Sequence, residues 1–163
     1  MPESIFHRLR TRGLRLASNL GWLPPAVTRL SLGVVFVGTG WGKLHNLDKV
    51  TAFFGELGIP APGCNATLAA SAELVCGALL LVGLLSRLAA LPLAFTMAVA
   101  IATAKRADLN GISDLFGFEE WLLLVLAVWI AVAGPGPLSL DALIGRLRPA
   151  PGSRPVSAGV SSP

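Results

Sequence analysis

The feature that most constrains this chain is an apolar stretch, residues 65–86, that carries one carboxylate, Glu73, near its middle. About 20 mostly apolar residues are enough for a helix to cross a bilayer. An ionised side chain at that depth costs roughly 2.5–3.5 kcal/mol on insertion scales, so it normally faces protein, water or a partner charge. The helical face of Glu73 is otherwise made of small residues, Ala66, Ala69, Ala70 and Gly77. We therefore expect Glu73 to point into a helix–helix seam and not at lipid.

Composition indicates the same class of protein. Of the 163 residues, 53% are hydrophobic and 13% are charged, whereas soluble domains carry about 25% charged residues. The net charge of +4 comes from basic residues at the ends of apolar segments, which favours contact with anionic lipid over nucleic acid. The lipid bilayer is thus the expected partner, and nucleic acid is not.

Four apolar segments predict an all-α fold, an antiparallel bundle of four transmembrane helices. The predicted spans are residues 26–45, 65–86, 88–104 and 118–133. The second and third spans are joined only by Ser86, the last residue of the second span, and Arg87, which predicts a tight hairpin. Residues 48–57 have one apolar face and predict a short helix lying on the outer membrane surface.

Three regions follow from this pattern. Residues 1–23 are basic with one apolar stripe, which predicts a helix on an anionic leaflet; their Arg-rich, acid-poor composition also has transit-peptide character. Residues 24–146 form the membrane domain. Residues 147–163 form a tail that lacks apolar periodicity from residue 149 onward, and we expect it to be disordered.

The distribution of basic residues predicts the orientation of the bundle. With both termini in the cytoplasm, nine of the thirteen Lys and Arg residues lie on the inner side. The other four, on the outer side, are Lys43, Lys49, Lys105 and Arg106. Because Lys and Arg near span ends are retained on the cytoplasmic side, this asymmetry favours an orientation with both termini inside.

Small residues predict where helices approach closely in lipid. In the first span, Gly33 and Gly40 share a stripe with Phe36 and with two basic residues, Arg29 and Lys43. The third span repeats alanine at every fourth position, and these residues are Ala90, Ala94, Ala98 and Ala102. We expect both stripes to face neighbouring helices.

Five charged residues are candidates for a functional site: Glu73, Lys43, Glu119, Arg29 and Arg87. In one interpretation, Glu73, Lys43 and Glu119 line a polar pocket for a quinone, a proton or a small solute. In the other, Glu73 forms a structural ion pair with Lys43 or Arg29. Arg29 and Arg87 would then anchor helix ends to lipid headgroups, and Lys43 would extend to the membrane surface.

Motifs for a self-contained redox or metal centre are missing from the sequence. His45 is the only histidine near the membrane, so one chain cannot supply bis-histidine haem ligation. There is no C-x-x-C motif, zinc-ligand spacing or dinucleotide-binding loop. Cys64 and Cys76 would lie about 18 Å apart on one helix, too far for a disulfide. No metal is expected, and a bound quinone is the one cofactor left open.

Several motifs occur in a specific order, namely GKL at 42–44, LGIPAP at 57–62, AE at 72–73, SRLAA at 86–90 and GPGPLSLD at 134–141. In this order and spacing, about residues 25–145 resemble the DoxX family of small four-helix membrane proteins. The resemblance implies a bacterial inner-membrane location. Some members of that family are subunits of a thiosulfate:quinone oxidoreductase, and others are linked to thiol-stress and oxidative-stress defence. The resemblance therefore implies a role of one of these kinds.

Three functions remain open at this point. The first is a membrane subunit of a redox, sulfur-handling or oxidative-stress-linked assembly, with a quinone-sized pocket near Glu73. Such a subunit would not be an autonomous oxidoreductase and would work with soluble redox or sulfur-transfer enzymes. The second is a small-solute or proton-coupled transporter that uses the mid-membrane carboxylate. The third is a non-catalytic membrane anchor for soluble enzymes. Homo-oligomerisation is compatible with each of the three.

Overall fold

The computed structural model of the protein describes residues 20–147. Within that range every regular element is helical, which confirms the predicted all-α class. Of the predicted surface helix, residues 1–23, the part up to residue 19 lies outside the described residues, and residues 20–22 form a turn. The predicted tail, residues 147–163, lies outside them except for its first residue. The helices are α1 (Leu23–His45), α2 (Leu47–Glu56), α3 (Pro62–Val82), α4 (Ser86–Thr103), α5 (Ile112–Gly117), α6 (Glu119–Ala133) and α7 (Leu140–Leu147), with one 3-10 turn at Arg106–Asp108.

Helices α1, α3, α4 and α6 form an antiparallel bundle. Helix α1 packs most extensively on α3, and α4 packs most extensively on α6. Their shared core contains Phe36, Leu80, Leu93 and Ile130. We call the end of the bundle with the α3–α4 turn the hairpin end, and the opposite end, where α2 lies, the α2 end.

Three of these helices, α1, α3 and α4, are long and apolar enough to cross a membrane. Helix α6 is the fourth member of the bundle, but it has 15 residues, fewer than the roughly 20 that a full span needs. The helical bundle is therefore confirmed, and a fourth complete crossing stays a prediction. Large apolar side chains on the outside of the bundle are more than half exposed, as a surface in contact with lipid requires; they include Val34, Val75, Phe95 and Val132.

The predicted connection between the second and third spans, residues 86–87, is wrong by three residues. Helix α3 ends at Val82 because Gly83 adopts a left-handed conformation, φ +77°, and its N–H donates to the carbonyls of Leu79 and Leu80. Helix α4 already begins at Ser86. Apolarity runs unbroken through this turn, so hydropathy could not locate it.

The predicted alanine stripe of the third span is also only partly right. Ala90 is fully buried, but Ala98 and Ala102 are exposed. Four residues advance an α-helix by about 40° more than one full turn, so a four-residue repeat leaves the buried face within a few turns. Leu93 and Met97 occupy the buried face instead.

Candidate ligand-binding cavity

Two glycines allow α1 and α3 to touch backbone to backbone. A Cβ on Gly40 would lie 2.5 Å from the Leu74 nitrogen and 2.9 Å from the Ala70 oxygen. A Cβ on Gly77 would lie 2.8 Å from the Val37 nitrogen. Neither position accepts a side chain without moving a helix. The predicted close packing along the α1 stripe is therefore confirmed.

This contact brings the two central charges together. Lys43 follows Gly40 by about one turn of α1, and Glu73 follows Ala70 by about one turn of α3. The Lys43 Nζ donates to Glu73 Oε1 at 2.6 Å. The Glu73 side chain is 1% exposed and that of Lys43 is 33% exposed. Glu73 thus lies in the helix seam, as predicted, and of the two basic candidates its partner is Lys43 and not Arg29.

The second carboxylate oxygen of Glu73 does not take part in the hydrogen bond with Lys43. Within residues 20–147, Glu73 Oε2 is buried and has no hydrogen-bond partner. A buried acceptor without a donor is destabilising, typically by about 1–3 kcal/mol. The carboxylate is therefore held on one side only, by Lys43.

Beside this ion pair lies a cavity of about 810 Å³ at the α2 end of the bundle. Helices α1, α2, α3, α4 and α6 all contribute to its wall, which is mainly aliphatic and aromatic. Phe36 and Met97 belong both to the wall and to the hydrophobic core, so the core closes the cavity toward the hairpin end. The result is a mostly apolar chamber with one buried charge pair in its wall.

Three of the five predicted site residues, Lys43, Glu73 and Glu119, line this cavity. Glu119 is exposed, and it is its neighbour Glu120 that approaches Lys105, at 3.6 Å. The Lys105 Nζ also lies 5.6 Å from the centre of the Phe118 ring. The sequence analysis did not identify the Lys105–Glu120 pair because charges near span ends are common, although the position of these two residues at the ends of neighbouring predicted spans was a usable signal.

Threonine hydroxyls are the other polar groups that the sequence did not reveal. Thr39, Thr96 and Thr103 line the cavity. Each hydroxyl donates to a carbonyl three or four residues earlier in its own helix, at 2.8–3.2 Å. Their oxygens remain able to accept a hydrogen bond from a ligand. Threonine is common in membrane helices, and so its presence alone carries no functional signal.

Arg29 and Arg87 lie at the hairpin end and do not line the cavity. Arg29 is 5% exposed and donates to the Leu138 carbonyl at 2.9 Å and the Leu81 carbonyl at 3.4 Å. It therefore fastens the segment before α7 to the bundle, and the expectation that it anchors to lipid headgroups is wrong. Arg87 is exposed and reaches the Ala133 carbonyl at 3.5 Å.

Asp141 completes the fastening at the hairpin end. Its carboxylate accepts from the N–H groups of Leu85, at 2.7 Å, and Ser86, at 2.9 Å. These are donors at the start of α4 that no carbonyl of that helix can satisfy. Its own N–H donates to the Gly83 carbonyl at 2.9 Å. The chemistry at this end is structural, and the cavity is the better candidate for a ligand.

Metal ligands do not converge anywhere in the described part of the chain, residues 20–147: no three His, Cys, Asp or Glu side chains gather in one place. Cys64 and Cys76 both lie on α3, and both are free thiols. The polar groups that line the cavity are the two Lys–Glu pairs, Glu119, Asn65 and the three threonines.

Comparison with known proteins gives a consistent assignment. The DoxX family profile matches residues 25–106. An uncharacterized membrane protein of Mycobacterium tuberculosis is 34% identical over 80% of this chain and 88% of its own length. CatD of Bacillus subtilis, which is named as a candidate oxidoreductase, is 30% identical over 71% of this chain and 83% of its own length. The inner membrane protein YqjF of Escherichia coli is 27% identical over 74% of this chain and 91% of its own length. No solved structure is significantly similar to the chain.

Proposed function

This chain belongs to the DoxX family of membrane proteins, and on that premise we propose that it is a membrane subunit that binds a quinone beside Lys43 and Glu73. The assembly it serves would be redox-active, sulfur-handling or linked to oxidative stress. The observation that carries the proposal is the Lys43–Glu73 ion pair, with its carboxylate buried, in the wall of a mostly apolar cavity.

The lysine supplies the polar contact that a quinone needs. An ammonium group has three donors, and Lys43 uses one of them on Glu73. Because its side chain is one-third exposed, the remaining donors can reach a quinone carbonyl. The apolar wall suits the ring, and the volume of about 810 Å³ falls within the usual range for ligand sites, about 300–1,000 Å³.

The glutamate gives this lysine a fixed position. Desolvation of a buried ion pair can exceed its Coulombic gain, so such a pair is weak support for a purely stabilising role. Charged groups inside membranes usually belong to functional sites. Reduction of a quinone to a quinol takes up two protons as well as two electrons; the Lys43 ammonium can donate to the reduced oxygen, and water that reaches its partly exposed side chain would supply the protons. Electrons would come from a partner enzyme of the soluble redox or sulfur-transfer class.

Other features of the bundle favour binding over transport or simple anchoring. The core that closes the cavity toward the hairpin end, including Leu80 and Leu93, is fully buried. A chamber closed at one end suits a bound ligand better than a path for a solute. An anchor would need neither the cavity nor the charge pair. The name of the Bacillus subtilis relative, a candidate oxidoreductase, supports the redox class.

A cavity-filling substitution tests this proposal. In lipid nanodiscs, the unaltered protein should bind a short-chain ubiquinone, measured by equilibrium binding. Ala100 lines the cavity, so Ala100→Phe should weaken binding by about tenfold or more, a loss of about 1.4 kcal/mol. Ala98 is on the same helix, faces outward and does not line the cavity, so Ala98→Phe should leave binding unchanged. Equal affinities for the two variants, or no binding to the unaltered protein, would contradict the proposal.

We also propose that the chain lies in the bacterial inner membrane with both termini in the cytoplasm, which puts the α2 end outside. In a Cys64→Ser/Cys76→Ala background, a cysteine at Asp114, on the short helix α5 at the α2 end, should react with a membrane-impermeant maleimide added to intact cells. A cysteine at Arg146, beyond the hairpin end, should react only after the cells are opened. The reverse labelling pattern would refute this orientation.

A further inference from the structure

The cavity is open toward the side of the bundle. Leu68 on α3 and Phe95 on α4 both line it, yet they are 60% and 69% exposed. Phe53 on α2 also lines the cavity and is 47% exposed. The cavity is partly open to the outside, and we place its rim at these lining side chains because they are the large apolar ones with the greatest exposure. In a membrane protein, an apolar outer surface faces lipid tails.

The helix connections explain why the opening lies there. A three-residue turn, 83–85, ties α3 to α4 at the hairpin end. Most lining residues of the two helices lie away from that turn, from Asn65 to Glu73 on α3 and from Pro92 to Thr103 on α4. The cavity therefore lies against the parts of α3 and α4 that the turn does not hold together. We call the gap between Leu68 and Phe95 the side opening.

We infer that the ligand reaches the cavity from the bilayer through the side opening, and that it carries a long apolar tail that remains in this opening after binding. The inference rests on the proposed function for the identity of the head group. A polar head would lie against Lys43, and the tail would pass between Leu68 and Phe95 into the lipid. The ligand class is thus a lipid-soluble quinone with an isoprenoid-type tail, and not a water-soluble quinone.

Affinity alone cannot test the tail, because a longer tail concentrates any ligand in the membrane. Transfer of a tail from lipid to an apolar groove also gains little, since lipid is as apolar as the groove. The useful measure is binding per mole fraction of ligand in the bilayer, compared between a tail-less quinone and a long-tailed quinone with the same head. A side chain that narrows the side opening should then affect only the long-tailed ligand.

Helix α3 provides a matched pair of positions for this experiment. Leu68 and Val75 are two turns apart on one face, with exposures of 60% and 56%, but only Leu68 lines the cavity. We expect Leu68→Trp to lower the affinity for the long-tailed quinone by about tenfold or more, which corresponds to about 1.4 kcal/mol. The affinity for the tail-less quinone should change little. Val75→Trp should affect neither ligand. Phe95→Trp and Leu88→Trp form the corresponding pair on α4.

Each outcome has a distinct meaning. If Leu68→Trp weakens the binding of both quinones equally, the residue only shapes the cavity. The side-opening inference is then overturned, while the proposed function stands. If the unaltered protein binds neither quinone, the proposed function fails and the inference fails with it. If native mass spectrometry shows a phospholipid that neither quinone displaces, the opening holds an acyl chain and the inference is overturned.

Discussion

Lys43→Met should lower the free energy of unfolding by about 3–5 kcal/mol, because it leaves Glu73 as an unpaired buried charge. The Glu73 side chain is 1% exposed and Lys43 is its only ionic partner among residues 20–147. Glu73→Gln should cost less, about 1–2 kcal/mol, because Lys43 is partly exposed and can still donate to the amide oxygen. Equilibrium unfolding in mixed micelles would measure both losses.

The double variant Lys43→Met/Glu73→Leu serves as the control for this prediction. It removes both charges, so it should recover most of the stability that Lys43→Met loses, while quinone binding stays lost. A double variant no more stable than Lys43→Met would show that unpaired charge is not the cause of the loss. If Glu73→Gln left both stability and quinone binding unchanged, neither a structural nor a functional role for Glu73 would survive.

Gly40→Ala should destabilise the bundle by roughly 1–3 kcal/mol, the usual cost of overpacking a tight interface. The new Cβ would stand 2.5 Å from the Leu74 nitrogen, and backbone cannot move aside as a flexible side chain can. Because α1 and α3 must separate, the Lys43–Glu73 bond should also lengthen and quinone binding should weaken. Thermal unfolding and the binding assay would measure the two effects.

Gly38 is the matched control on the same helix. It is exposed, and nothing lies within 4 Å of where its Cβ would be. Gly38→Ala should be neutral or stabilising by up to about 1 kcal/mol, because alanine has the higher helix propensity. Opposite signs for the two substitutions are the expected result. A loss of similar size at both positions would instead point to a general effect of glycine on α1.

The charged residues illustrate how far sequence reasoning reached. Glu73 could be predicted to face a helix seam because a carboxylate within an apolar span is costly when it points at lipid. Its partner could not be chosen between Lys43 and Arg29, since both lie on one stripe of α1. The choice depends on the axial register of α1 against α3, and Gly40 and Gly77 determine that register through backbone contacts.

Arg29 and Glu119 show the limit more plainly. From sequence, Arg29 is open to three roles, as a site residue, as a partner of Glu73 or as a headgroup anchor, yet it is buried against the carbonyls of Leu81 and Leu138. Leu138 is more than a hundred residues away in sequence, so no local pattern could reveal the contact. Glu119 and Glu120 are adjacent, and only the rotation of α6 decides that Glu120 forms the ion pair with Lys105.

Hydropathy and helical periodicity, which are local and additive along the chain, are enough to predict an all-helical membrane protein with Glu73 in a helix seam. The folded structure was needed to learn which basic residue meets Glu73, where α3 ends, and that a side-opening cavity lies beside the ion pair. These depend on how closely helices approach and rotate, and such packing involves contacts between residues far apart in the chain.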